Sequence, residues 1–260
     1  MARQSSNPVF QRSAPLHESL RGSGYAAPTV DQVAGIYHTP QRLTMDDVVV
    51  KTSLLLGVIV ATGAAAWVLN VSQGVAVMSA LIGFALALVN MFKRQVSPGL
   101  VLAYAAFQGV ALGAISHVFN QIYAGIVVQA VVGTSVVFGA VLAGYKSGRL
   151  RATPQFTKIV TLAFIGLFAI VVLNLVAGLF GDGDALGIRG DNPVLSVLFS
   201  LAFITVGALT FVLDFDQADR MVAAGVDARE SWRISFGLVV GLVWLYLEVL
   251  RLLSYLQGRD

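Results

Sequence analysis

Charge is rare along most of this chain, so the few ionisable groups inside its apolar runs are the first candidates for chemistry. In GLVWLYLEVLRLLS (241–254), Glu248 and Arg251 interrupt a run that is otherwise uncharged. On a helix, residues three, four or seven positions from Glu248 share its face; these include Gly241, Trp244, Arg251 and Tyr255. The opposite side is Leu and Val, so the polar stripe must turn toward the protein interior or a water-filled cavity. An ionised carboxylate at mid-bilayer costs roughly 2.5–3.5 kcal/mol on insertion scales. Two arrangements meet that cost. Glu248 and Arg251 can neutralise each other within the helix, with Tyr255 near the interface. Alternatively, Glu248 is a carboxylate that handles protons or cations.

A second cluster is LDFDQADR (213–220), in which Asp214, Asp216 and Asp219 precede Arg220. Asp214 follows the apolar run directly and is expected to be half-buried. Asp216 and Asp219 have room to be solvated, as at an ordinary membrane boundary. Other polar residues fall inside apolar runs: Asn90, Gln108, His117, Gln129 and Asn174. These are expected to form hydrogen bonds between helices, with His117 as a lone interfacial histidine. Asp182 and Asp184 in GDGD suggest calcium, but a calcium loop of the EF-hand type needs Glu at its twelfth position, and Pro193 stands there. An outer turn is the expectation. No P-loop, HExxH or GxSxG is present. The absence of cysteine removes disulfides, thiolate nucleophiles and thiolate metal sites. No enzyme activity, cofactor or metal site is expected.

Positioning these groups falls to an apolar chain. Charged residues make up 12% of the 260, about half the soluble norm of roughly 25%, and mean hydropathy is +0.78. Residues 52–92 contain no Asp, Glu, Lys or Arg, and neither do residues 95–145. Each run is too long for one span of about 20 residues. NVSQG (70–74) divides the first and Asn120-Gln121 the second, giving helices at about 50–69, 73–92, 98–119 and 122–145. Ser97-Pro98 supplies an N-cap and a first-turn proline. Three more helices are expected at about 158–180, from Pro193 to about 213, and from about 233 to 256. The fold class is therefore all-α, a polytopic membrane protein of seven helices. Residues 1–43, rich in Ser, Pro, Gly and Arg, form a tail expected to be disordered, and 44–260 form the membrane domain. The tail ends at TMDD, where Thr44 can cap a helix and Asp47 favours its positive end. Small residues four apart (Gly109/Gly113, Ala140/Gly144, Gly237/Gly241) suit close helix packing.

Loop charge sets a predicted orientation. Basic residues occur in the tail, in loop 2–3 (Lys93, Arg94), in loop 4–5 (Lys146, Arg149, Arg151, Lys158) and in loop 6–7 (Arg220, Arg229, Arg233). Loops 1–2 and 3–4 carry none, and loop 5–6 has one arginine against three aspartates. The N-terminus is then cytoplasmic and, with seven spans, the C-terminus outside. The formal charge of +3 is accounted for by these loops and does not point to nucleic acid.

Taken together, the D-F-x-Q-like segment that ends helix 6 and the L-Y-L-E segment in the last helix resemble the transmembrane Bax-inhibitor-motif (Bax inhibitor-1-like) family. The helix 3 segment YAAFQGVALGAIS (104–116) is similar to that family's aromatic-polar-glycine run. The resemblance covers about 45–256 and leaves the tail outside. It implies a bundle with helix 7 at its centre, in a bacterial plasma (inner) membrane. It also implies a calcium-permeable path, latched by carboxylates of helices 6 and 7 that share a proton; by position these are Asp214 and Glu248. Two neighbouring carboxylates cannot both ionise easily, so such a pair titrates as a unit.

The resulting expectation is a pH-sensitive cation (calcium) leak channel. Asp214 and Glu248 sense protons and Arg251 tunes them, with Asp216, Trp244, Tyr255 and Gln108 as secondary candidates. Its partners are the lipid bilayer and a permeant cation. The alternative is a non-transporting modulator of a membrane protease or of stress or cell-death machinery, docking on a membrane-protein partner through the basic tail. One geometric condition separates outcomes. Glu248 lies about 15 residues beyond Arg233, roughly 22 Å along a helix, whereas Asp214 lies near the cytoplasmic interface. If that separation holds, Glu248 pairs with Arg251 instead.

Overall fold

The computed structural model describes residues 42–93, 95–180 and 193–258. Of the predicted tail, only Arg42 and Leu43 lie among them. Seven helices follow in order: α1 (Met45–Val68), α2 (Gln73–Phe92), α3 (Pro98–Ile122), α4 (Ile126–Lys146), α5 (Pro154–Phe180), α6 (Pro193–Ala223) and α7 (Ser231–Gln257), with a single 3-10 turn (Ala228–Glu230) before α7. All seven are long and apolar enough to cross a membrane. In lipid an unpaired backbone group is costly, and helices satisfy their own; the uncharged runs leave the chain no other economical choice.

The caps follow the sequence closely. Thr44 and Asp47 form a reciprocal capping box at the start of α1, with Asp47 N–H donating to Thr44 Oγ1 at 3.2 Å. Pro98 opens α3, where its missing N–H costs nothing. Gly125 precedes α4 at φ 84°, a left-handed conformation that glycine adopts without strain. The boundaries differ most at α6. It was expected to end near 213, but it continues to Ala223. Phe211, Phe215 and Ala218 are all buried, and their spacing of four and three keeps one apolar face running through the acidic segment. LDFDQADR is thus helical rather than the loop that follows a helix.

α7 is the central element. It packs on α6, α1 and α4 and touches α3. Its residues enter both apolar cores: Leu245, Val249 and Leu250 join Phe211 and Ile126 in one, and Phe236, Val239 and Val243 join Leu55 and Val101 in the other. α2 packs chiefly on α3, and α5 chiefly on α6. Both outer helices expose large apolar side chains, as a lipid-facing surface requires.

α1 and α3 cross at backbone contact. A Cβ on Gly113 would come within 2.6 Å of Gly63 Cα, and one on Gly109 within 2.6 Å of the Ile59 carbonyl oxygen. The predicted Gly109/Gly113 pair is therefore a true crossing point. Gly241 fits under the Phe211 ring, whereas Gly237 faces open space and Gly144 lies against Leu150 in the following loop. Those two do not mark helix crossings.

The start of the described chain is anchored at one end of the bundle. Leu43 is 2% exposed, and its N–H donates to the Val226 carbonyl at 2.8 Å. Lys51 donates to the Ala228 carbonyl at 3.3 Å and to the Ser231 hydroxyl, and lies 5.4 Å from the centre of the Trp232 ring. These bonds tie α1 to the turn between α6 and α7.

Candidate functional site: two carboxylates at different depths

Glu248 is 4% exposed. Its Oε1 accepts from Arg251 Nη1 at 2.7 Å, and its Oε2 faces the Ser200 hydroxyl at 3.4 Å. Ser200 is itself fully buried on α6. The i, i+3 spacing read from the sequence thus produces the internal ion pair, and Ser200 adds a tie between α7 and α6. Ser200 lies in LFSLAF, a segment without charge, and a serine in an apolar helix gives no sign of its partner. Only packing reveals it.

Asp214 occupies a different environment. It is half-buried on α6 and lines a cavity of about 700 Å³. α7 contributes Arg233, Gly237 and Trp244 to that cavity, and α3 contributes Gln108. Two secondary candidates, Trp244 and Gln108, therefore share a cavity with Asp214. Glu248 is not among its lining residues.

Helical rise separates the two acids. Asp214 is 14 residues along α6 from Ser200, the Glu248 contact, which amounts to about 21 Å. On α7, Glu248 lies 11 residues, about 16 Å, beyond Gly237 at the Asp214 cavity. A proton shared directly between Asp214 and Glu248, expected from the resemblance, does not fit this arrangement. Because α6 and α7 are continuous helices packed along each other, neither acid can leave its own level. The sequence left both outcomes open, and the Arg251-paired one matches the geometry.

Trp244 lines the cavity and precedes Glu248 by one turn of α7. Phe203, Phe168 and Phe164 surround its ring at centroid distances of 5.7, 6.1 and 6.5 Å. Trp244 is the α7 lining residue nearest Glu248 in sequence, so this aromatic cluster lies on the Glu248 side of the cavity.

The remaining candidates fall outside both sites, except Asn90, which lines the Asp214 cavity. Asp216 pairs with Arg220 at 2.7 Å, and Asp219, which is exposed, accepts from the Tyr145 hydroxyl at 2.6 Å. Tyr255 is half-buried one turn beyond Arg251. Gln129 makes the expected interhelical bond, to Gln257 at 2.9 Å. His117 meets the Trp67 ring edge-on at 5.1 Å. Asn90 departs from expectation: it is 2% exposed, yet neither of its amide atoms has a partner. Asp182 and Asp184 lie outside the described residues. Among the described residues, no group of His, Cys, Asp and Glu is placed to hold a metal ion.

A family model described as Bax inhibitor 1 like matches residues 7–258. No curated protein matches the chain. The match begins well before residue 45 and so takes in most of the tail that the motif resemblance had left outside. The match spans nearly the whole chain: the chain belongs to the Bax inhibitor 1 like family.

Proposed function

We propose that this protein is a non-enzymatic, pH-sensitive cation leak path of the bacterial inner membrane, with calcium as the permeant ion that the family resemblance suggests. The observation that carries the reading is Asp214, a half-buried carboxylate in a cavity of about 700 Å³ whose wall includes Trp244, Phe164 and Phe168. A carboxylate so placed attracts a cation and responds to protons. Loop charge puts the N-terminus and this end of the bundle on the cytoplasmic side and the C-terminus outside.

In this reading the two acids have different tasks. Asp214 is the vestibule group, which gathers cations and loses that ability when protonated. Trp244 and its phenylalanines act as a hydrophobic constriction, the kind of element that gates by excluding water. Glu248 holds α7 against α6 through Ser200 and keeps Arg251 neutralised. Protonating Glu248 removes the charge that Arg251 is bound to and frees α7 to shift. A two-state element biased by protonation is the general form of a pH switch.

The test is calcium flux into proteoliposomes as a function of pH. Asp214→Asn is expected to reduce flux at neutral pH, and Glu248→Gln to weaken its pH response while leaving the part that depends on Asp214. Flux and pH response equal to wild type in both variants would remove the proposal.

A further inference from the structure

The cavity beside Asp214 holds most of its charged and amide side chains at one end, although Gln108 adds a polar group at the level of Gly83 and Phe84. At the end near the α6–α7 turn it is lined by Asn90, Asp214, Gln217 and Arg233. At the other end, the lining is Ala80, Phe84, Phe164, Phe168 and Trp244. Ala80 is ten residues from Asn90 on α2, and Trp244 eleven from Arg233 on α7, so the two ends lie about 15 Å apart.

The cavity is also open at the side. α2 and α5 form two of its walls, but α2 packs mainly on α3 and α5 mainly on α6, with no extensive interface between them. Side chains that line the cavity are exposed on both edges of this gap: Phe84, Leu88 and Met91 on α2, and Phe164 and Phe168 on α5. In a bilayer those edges meet acyl chains, so the cavity interior is continuous with the lipid-facing surface.

We propose that the cavity bounded by α2, α5 and α7 binds a membrane phospholipid, whose acyl chain enters sideways between α2 and α5 and whose headgroup region stays at the Asn90–Asp214 end. The volume lies within the range of small-ligand sites, about 300–1,000 Å³. The deeper end, aromatic and aliphatic apart from Gln108, suits a chain. At the polar end, Asn90 is the lining residue whose amide the protein leaves unpaired, and such a group is costly in a membrane. A small rotation of its side chain toward the cavity lets the glycerol esters of a lipid take up that capacity. Gly237, which lines the cavity and has nothing within 4 Å of where a Cβ would stand, leaves the space that the chain fills. This inference uses the same cavity as the cation reading but does not rest on it: a lipid seated there occupies the vestibule, and a cation reaches Asp214 only when the lipid has left.

The test uses the full chain in nanodiscs containing a phospholipid with a photoreactive acyl chain, and maps cross-links by mass spectrometry. Labelling is expected to concentrate on the cavity faces of α2, α5 and α7 and to fall several-fold in Gly237→Leu, whose side chain starts from a Cβ position with open space around it. Labelling of α4 at Val131 and Val136, both exposed, serves as the unchanged reference. Ala80→Leu narrows the same cavity from α2 and keeps the test decisive if Gly237→Leu does not fold. Uniform labelling of all exposed apolar surfaces, unaffected by either variant, would overturn the proposal. So would cavity labelling by a photoreactive free fatty acid but not by the phospholipid.

Discussion

Arg251 Nη1 lies 2.7 Å from Glu248 Oε1, one turn apart on the central helix, and the two side chains differ sharply in exposure: 29% for arginine and 6% for glutamate. The pair is therefore anchored inside and open at its arginine end. This asymmetry makes the carboxylate the costly partner if it is left alone.

Arg251→Met should destabilise the protein by about 3 kcal/mol, the lower end of the range for breaking a buried pair, because the arginine is partly exposed. Adding Glu248→Gln to Arg251→Met should recover most of that loss, since no buried charge then remains. Denaturation of the purified protein in detergent at neutral pH measures both. Equal losses in the single and double variants would show that packing, not charge, holds this region.

The α1–α3 crossing predicts a second contrast. Gly113→Ala adds a methyl where Gly63 already sits, and overpacking of this kind costs about 1–3 kcal/mol. Gly57→Ala, on the same pair of helices but with nothing within 4 Å, should be neutral or slightly stabilising. Thermal unfolding in detergent checks the pair, and similar melting temperatures for the two variants would contradict the crossing.

Much of this was legible in the sequence, and the reasons are physical. Seven spans follow from uncharged runs interrupted by polar turns, because lipid tolerates little else. The Thr44 cap and the Glu248–Arg251 pair depend on neighbours in sequence, so spacing reveals them. The length of α6 was not legible, since three aspartates resemble a membrane boundary when the buried face of Phe211, Phe215 and Ala218 is not seen. Ser200 opposite Glu248, Leu43 beneath the α6–α7 turn and the unpaired Asn90 depend on contacts between distant segments. So does the separation of Asp214 from Glu248: which residue of α6 lies beside Glu248 is decided by how the two helices pack.

Asn90 gives a third prediction. Asn90→Leu replaces an amide without partners by an apolar group of similar size. It should raise stability in detergent by about 1 kcal/mol, the lower end of the cost of a buried unsatisfied group. A loss of stability of that size would mean that the amide has a partner in the purified protein.

Trp244 supplies a fourth. If the aromatic cluster closes the cavity, Trp244→Ala should increase calcium leak at every pH, with the pH response retained, because Glu248 and Asp214 are intact. Flux assays on proteoliposomes at matched protein density check this, and an unchanged leak would show that the constriction is elsewhere.

The central claim is that Asp214 and Glu248 are separate stations that do not share one proton. The pH dependence of calcium flux in wild type, Asp214→Asn, Glu248→Gln and the double variant tests it most directly. Independent groups about 15–20 Å apart along the helices should give effects that add, with the double variant equal to the sum of the singles on a logarithmic scale. If either single variant abolishes the whole pH response and the double variant adds nothing, the two carboxylates act as one coupled pair and the account is contradicted.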